Sequence, residues 1–320
     1  MDEKMMSVTE RKKMATRDVY GDTLVELGNI YNNIVVLDAD LSGSTRTERF
    51  AKVYPDRFFN MGIAEQDMIG TAAGFAAAGK IPFASTFAIF ETGRAWEQIR
   101  QSICFTRLQV RLVASHGGIT VGEDGASHHA LEDIALMRIL PNMNVVVPAD
   151  GIEMRKALYA SINHPGPVYI RSSREKFSIV CDEDYEFEFG KGKILLDGSD
   201  ITIMAIGLMV GIALDASEML RKDGVSVRLV NMSSVKPIDV DCIVKAANET
   251  RGIVTAEEHL INGGFGSAVS EIVSDLAPTF VKKVGICDCF GVSGKPDILL
   301  EKFGLTKETI YDAAMSILKK

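Results

Sequence analysis

From residue 34 to residue 286, short β-branched and apolar runs alternate with segments of helical periodicity, and this alternation restricts the chain to parallel-sheet architectures. The runs fall at 34–37, 110–113, 145–147 and 168–170, then at 201–206, 227–230, 253–255 and 281–286. Helical spacing lies between them, at 64–78, 96–102 and 211–222. Strands that are apolar on both sides of the pleat belong to sheets buried on both faces. The pattern breaks once, at 175–192, where EKFSIVCDEDYEFEFGKG is acidic and aromatic without a helical period. That stretch reads as a linker or an irregular hairpin. The expected fold is therefore α/β, with two domains of doubly wound, mostly parallel sheets at about 1–185 and 191–320, a length ample for two cores.

Composition narrows the partners. A net charge of −8 offers no basic footprint for nucleic acid. No apolar run approaches the roughly 20 residues of a membrane span, and the polar first 13 residues lack the apolar core of a signal peptide. A cytoplasmic protein with no membrane contact is expected. The five cysteines, at 104, 181, 242, 287 and 289, are odd in number and scattered, which suits reduced thiols better than a disulfide framework. Cys287 and Cys289 have no second Cys/His pair with which to hold zinc.

Two glycine motifs mislead. GFAAAGK at 74–80 approaches a phosphate-binding loop, yet Ile81 stands where a hydroxyl is required and the run lies in a helical segment. Its small residues suit close approach of a neighbouring backbone, as at a subunit interface. GGFG at 263–266 lacks the third glycine of a dinucleotide fingerprint and reads as a turn opening a helix at Ser267.

Three clusters carry chemistry. In Asn60-Met61-Gly62-Ile63-Ala64-Glu65-Gln66, Glu65 stands at a strand-to-helix turn among apolar residues. It is either a helix N-terminal carboxylate favoured by the macrodipole or, in so dry a place, a group suited to proton relay. In Ser85-Thr86-Phe87-Ala88-Ile89-Phe90 the two phenylalanines are three apart, able to share a helix face as core or as a platform for a flat ring. The segment 115–129, SHGGITVGEDGASHH, holds three of the five histidines and four glycines and follows a strand, where open α/β sheets bind ligands.

In order and spacing these clusters resemble the transketolase family of thiamine enzymes over nearly the whole chain, covering its pyrimidine-binding and C-terminal domains. The resemblance implies that Glu65 bonds a pyrimidine nitrogen of thiamine diphosphate and that Phe87 and Phe90 stack around that ring. A third family aromatic is replaced by Gly93. Asp124 and His128 match the residues that hold sugar hydroxyls near the reacting carbons. Arg17, Ser44, His116 and Arg174 match a substrate-phosphate site. Arg171 competes for the last role, but strand alternation turns it to the opposite side from Arg174.

The family's other half carries a Gly-Asp-Gly motif and a later Asn that hold Mg²⁺ (or Ca²⁺) and the diphosphate, and this sequence has no such pair. The resemblance thus implies the C-terminal half of a split transketolase of the pentose phosphate pathway. It would work as an α2β2 heterotetramer with an N-terminal subunit that supplies the metal and diphosphate site, and act on sugar phosphates. The competing readings are a deoxyxylulose-phosphate synthase-like chain using pyruvate, a 2-oxoacid dehydrogenase beta-like subunit, and a non-catalytic assembly subunit.

Overall fold

The computed structural model describes residues 12–320, and its strands are numbered here in chain order. β1 (Lys13–Ala15) pairs antiparallel with β8 (Lys176–Ser178) in a small ribbon. β2 (Ile34–Asp38), β3 (Phe58–Asn60), β4 (Ile81–Ser85), β5 (Arg111–Ala114), β6 (Asn144–Val146) and β7 (Val168–Arg171) form a parallel sheet. β9 (Lys193–Leu196), β10 (Ile201–Ala205), β11 (Val227–Asn231), β13 (Ile253–Leu260) and β14 (Val281–Ile286) form a second sheet, parallel except for β9. β12 (Ser234–Lys236) leaves the second half and adds an antiparallel edge to the first sheet, beside β6. The strand orders are β12-β6-β7-β5-β4-β2-β3 and β14-β13-β10-β11-β9.

Helices cover both faces because the central strands are apolar on both. On one side of the first sheet, Leu24 and Leu27 of the helix Thr16–Ile30 meet Met154 and Leu158 of Gly151–Ile162 over Val36 and Ile170. On the other, Met68 and Ala72 of the helix Glu65–Ala77 share a core with Ile243, Phe265 and Val269 from the second half. One apolar core therefore spans the two sheets, which holds the first sheet's loops against the second.

Several expectations need correction. The segment 81–85, absent from the runs read in the sequence, is a central strand despite Pro82; this residue lacks an N–H and normally marks an edge. The expected helix at 96–102 is only Trp96–Gln98 in α form, flanked by π-helical turns Phe90–Arg94 and Ile99–Cys104. The helix after GGFG opens at Phe265, because the buried Glu257 carboxylate accepts the Phe265 and Gly266 amides at 2.7 and 2.8 Å. The stretch 175–192 is irregular beyond β8, but it is no loose linker. Asp150 accepts the Val180 and Cys181 amides, both at 2.7 Å, and the Tyr185 hydroxyl donates to Glu153. Among the described residues a Cβ at Gly70 or Gly74 would meet nothing within 4 Å, so the close approach that their size permits is open to a second chain.

Candidate active site

The site lies along the rim where β2, β3, β4, β5 and β7 end, the edge at which open α/β sheets bind ligands. β2 and β4 mark a switch point, since the chain turns outward to β3 on one side and onward to β5 on the other. Ser44 follows β2, Glu65 follows β3, Phe87 and Phe90 follow β4, His116, Asp124 and His128 follow β5, and Arg174 follows β7. Arg17 enters from the helix after β1.

Two groupings emerge. In the first, Glu65 begins the helix Glu65–Ala77, is buried, and accepts from Arg94 Nη1 at 2.9 Å. Phe87 and Phe90 lie with ring centroids 5.8 Å apart and planes 16° from parallel, although Phe87 precedes the helix instead of sharing its face. His128 stands edge-on to Phe90 at 5.2 Å. The guanidinium of Arg94 lies 4.1 Å above the Phe90 ring. A Cβ at Gly93 would meet nothing within 4 Å among the described residues outside its chain neighbours, so the space beside it is open.

The second grouping is cationic. Arg17 Nη1 donates to the Ser44 carbonyl at 3.1 Å and lies 3.4 Å from His116 Nε2, so the main chain of Ser44 makes this contact, not its hydroxyl. Arg17 Nε is buried without a partner among the described residues. His116 takes a left-handed backbone (φ 59°), stacks on Phe87 at 3.8 Å, and places Nδ1 2.5 Å from Ser115 Oγ. Burial, then the charges of Arg17 and Arg174, push its pKa down to about 3. His116 is therefore neutral at physiological pH and contributes hydrogen bonding, not charge. Arg174 Nη1 reaches the Val121 carbonyl at 2.9 Å and Asp124 Oδ2 at 3.3 Å.

Arg171 does turn away from this rim. Its guanidinium is buried, donating to Asp133 at 2.8 Å and to the carbonyls of Ala130 and Glu258. His129 is also inward-facing, with Nε2 3.1 Å from the Gly122 carbonyl. Glu258, at the end of β13, accepts the Thr120 amide at 2.7 Å. Burial raises its pKa to about 7, with Arg171 acting in the opposite direction.

Arg94 and Glu258 escaped the sequence reading. Arg94 stands one helical turn beyond Phe90, a spacing that could have suggested it. Glu258 sits in a Glu-Glu-His run at a strand's C-terminal end, also a usable signal. An acid beside aromatic rings with open space suits a flat nitrogen heterocycle, and an unpaired buried guanidinium nitrogen suits an anion. Among the described residues no group of three His, Cys, Asp or Glu could hold a metal ion. Nor is any helix among them long and apolar enough to cross a membrane.

Two packed α/β units place an acid–aromatic grouping and a cationic grouping on one rim of the first sheet. The chain belongs to the transketolase family. Residues 12–178 match the model of the transketolase pyrimidine-binding domain, and residues 190–310 match that of the transketolase C-terminal domain. It is 50% identical over 307 residues to a chain from Methanocaldococcus jannaschii described as a transketolase C-terminal section, covering 95% of this chain and 96% of that one. It is 40% identical to the 6-deoxy-6-sulfo-D-fructose transketolase subunit SqwH of Clostridium sp. (strain MSTE9), over 95% of this chain and 94% of the relative. A solved split-gene transketolase, an inactive beta4 tetramer, superposes with a TM-score of 0.90 at 51% identity, covering 96% of this chain and 99% of that one.

Proposed function

We propose that this chain is the C-terminal half of a two-chain transketolase, reversibly moving a two-carbon ketol unit from a ketose phosphate to an aldose phosphate. The carrying observation is the cradle of Arg17, His116 and Arg174, in which Arg17 Nε is buried with no partner among the described residues. A pyruvate-type donor alone would not call for such a cradle. Thiamine diphosphate, when bound, supplies the nucleophilic carbon that carries the transferred unit. Glu65 holds one ring nitrogen of its pyrimidine and so controls the proton at that nitrogen, while Phe87 and Phe90 fix the ring plane. Asp124 and His128 orient substrate hydroxyls. Arg17, Arg174 and the neutral His116 bind the distal phosphate, with Ser44 beside them. The partner subunit would hold Mg²⁺ and the diphosphate, in an α2β2 complex located in the cytoplasm and serving the pentose phosphate pathway.

The sugar in the name of the Clostridium relative carries a sulfonate, which the same cradle could receive with one charge fewer. The test is reconstitution with an N-terminal-half transketolase subunit, thiamine diphosphate and Mg²⁺, assayed against phosphorylated, sulfonated and neutral acceptors. Ketol transfer by the complex and none by the single chain is expected, with phosphorylated acceptors preferred. Turnover by the isolated chain, or a folded and cofactor-loaded complex without transfer to any acceptor, overturns the reading.

A further inference from the structure

We propose that Glu258, carried by the second sheet, is a positioning residue that sets the site segment 117–124 of the first. In the second sheet the chain places β11 on one side of β10 and β13 on the other. The crevice at the ends of β10 and β13 is where such a sheet would take a ligand of its own. Here Gly117, Arg171 and Ser172 of the first unit fill it against Gly207, Leu208 and Glu258, leaving a gap of about 20 Å³. The second sheet's binding crevice therefore receives the first sheet's active-site loop.

The contact is built closely. Glu258 Oε1 accepts the Thr120 amide at 2.7 Å in the 3₁₀ turn Ile119–Asp124. A Cβ at Gly118 (φ 88°) would stand 2.1 Å from the Glu258 carboxyl carbon, and one at Gly117 would stand 2.3 Å from Arg171 Nε. Only glycines admit these two charged groups. Arg171 and Asp133 are the charged side chains facing Glu258, with Arg171 Nη1 3.9 Å from Oε2. Beyond Thr120 the turn presents the Val121 carbonyl and Asp124, both bonded to Arg174. Moving Thr120 therefore moves the groups that hold Arg174, while Glu65 and Phe90 ride on other elements.

The experiment compares Glu258→Gln, which keeps an acceptor oxygen, with Glu258→Met, which keeps length and loses it. Amide hydrogen exchange on the full chain should accelerate about tenfold across 117–124 in E258M, the size expected for one lost buried hydrogen bond, and stay near wild type in E258Q. The kinetic arm rests on the transketolase reading. In the reconstituted complex, E258M should raise KM for phosphorylated acceptors about tenfold with thiamine diphosphate affinity unchanged, and E258Q should restore it. Wild-type exchange at 117–124 in E258M, or a folded E258Q that loses loop protection and substrate binding alike, overturns the proposal. A wild-type complex without ketol transfer would sink the functional reading alone, since the exchange arm stands independently. If E258M fails to fold, Gly118→Ala sets a methyl against the same carboxyl and should accelerate exchange at the same amides; unchanged exchange there counts against the proposal.

Discussion

Arg94 and Glu65, 29 residues apart, meet with Nη1 2.9 Å from Oε1, while the same guanidinium covers the Phe90 ring. The carboxylate oxygen and the aromatic face that suit a pyrimidine are thus both engaged by one side chain. That side chain is about half exposed, so the ion pair itself holds little stability.

Arg94→Ala should therefore tighten thiamine diphosphate binding to the reconstituted complex. The competing contacts, an ion pair exposed on the arginine side only and a cation–π contact, together amount to about 1 kcal/mol, or roughly fivefold in affinity. A fluorescence titration measures it. Weaker binding in the variant would mean that Arg94 supports the pocket and does not compete for it.

Arg174→Ala should raise KM for phosphorylated acceptors by roughly tenfold to a hundredfold and leave short unphosphorylated aldehydes little affected. Charge-assisted bonds of this kind are worth about 1.5–3 kcal/mol, and in the proposed reading the phosphate lies away from the reacting carbons. Steady-state kinetics with paired acceptors decides the matter. Equal losses would assign Arg174 to holding Val121 and Asp124.

His116 gives a pH signature. Burial and the neighbouring arginines depress its pKa to about 3, from an ordinary value of 6.5. Between those values the unfolded chain binds the extra proton, so stability rises with pH across that window and levels off above it. Thermal melts from pH 4 to 8 should show a shallower rise in His116→Gln than in wild type. Identical slopes would place His116 in a wetter setting than the structure gives it.

Glu91 is fully buried with neither carboxyl oxygen paired among the described residues, and burial, with Asp38 nearby, pushes its pKa well up. Glu91→Met keeps the length and removes the unpaired polar atoms. Stability should rise by about 1–3 kcal/mol, read as a higher Tm. The gain should be larger at pH 8 than at pH 5. A carboxyl with a raised folded pKa contributes most below its unfolded value and loses that contribution as pH rises.

Much of this fold could be read from residue order, because runs such as 201–206 and 227–230 carry a clear β signal. β4 was hidden by Pro82, and β3 by having only three residues. Arg171 ends β7 and Arg174 lies three residues beyond it, so the loop as well as the strand sets their different contacts. The partners of the site residues were not legible. That Arg94 answers Glu65, or that Glu258 reaches Thr120 across 138 positions, depends on how elements pack and not on any local spacing. The neutrality of His116 was hidden for the same reason, since it arises from burial and from two arginines distant in sequence.

β12 has a consequence for how the chain can be cut. Those three residues, 234–236, close the β6 edge, and Lys236 Nζ is bonded to the carbonyls of Arg138 and Leu140. A fragment ending near residue 190 would expose the β6 backbone to solvent and to other copies, an open template for strand exchange. The complementary fragment would carry an orphan strand and half of the shared core. Limited proteolysis at the irregular 179–192 stretch should therefore yield a nicked pair that stays associated, and its separated halves should aggregate.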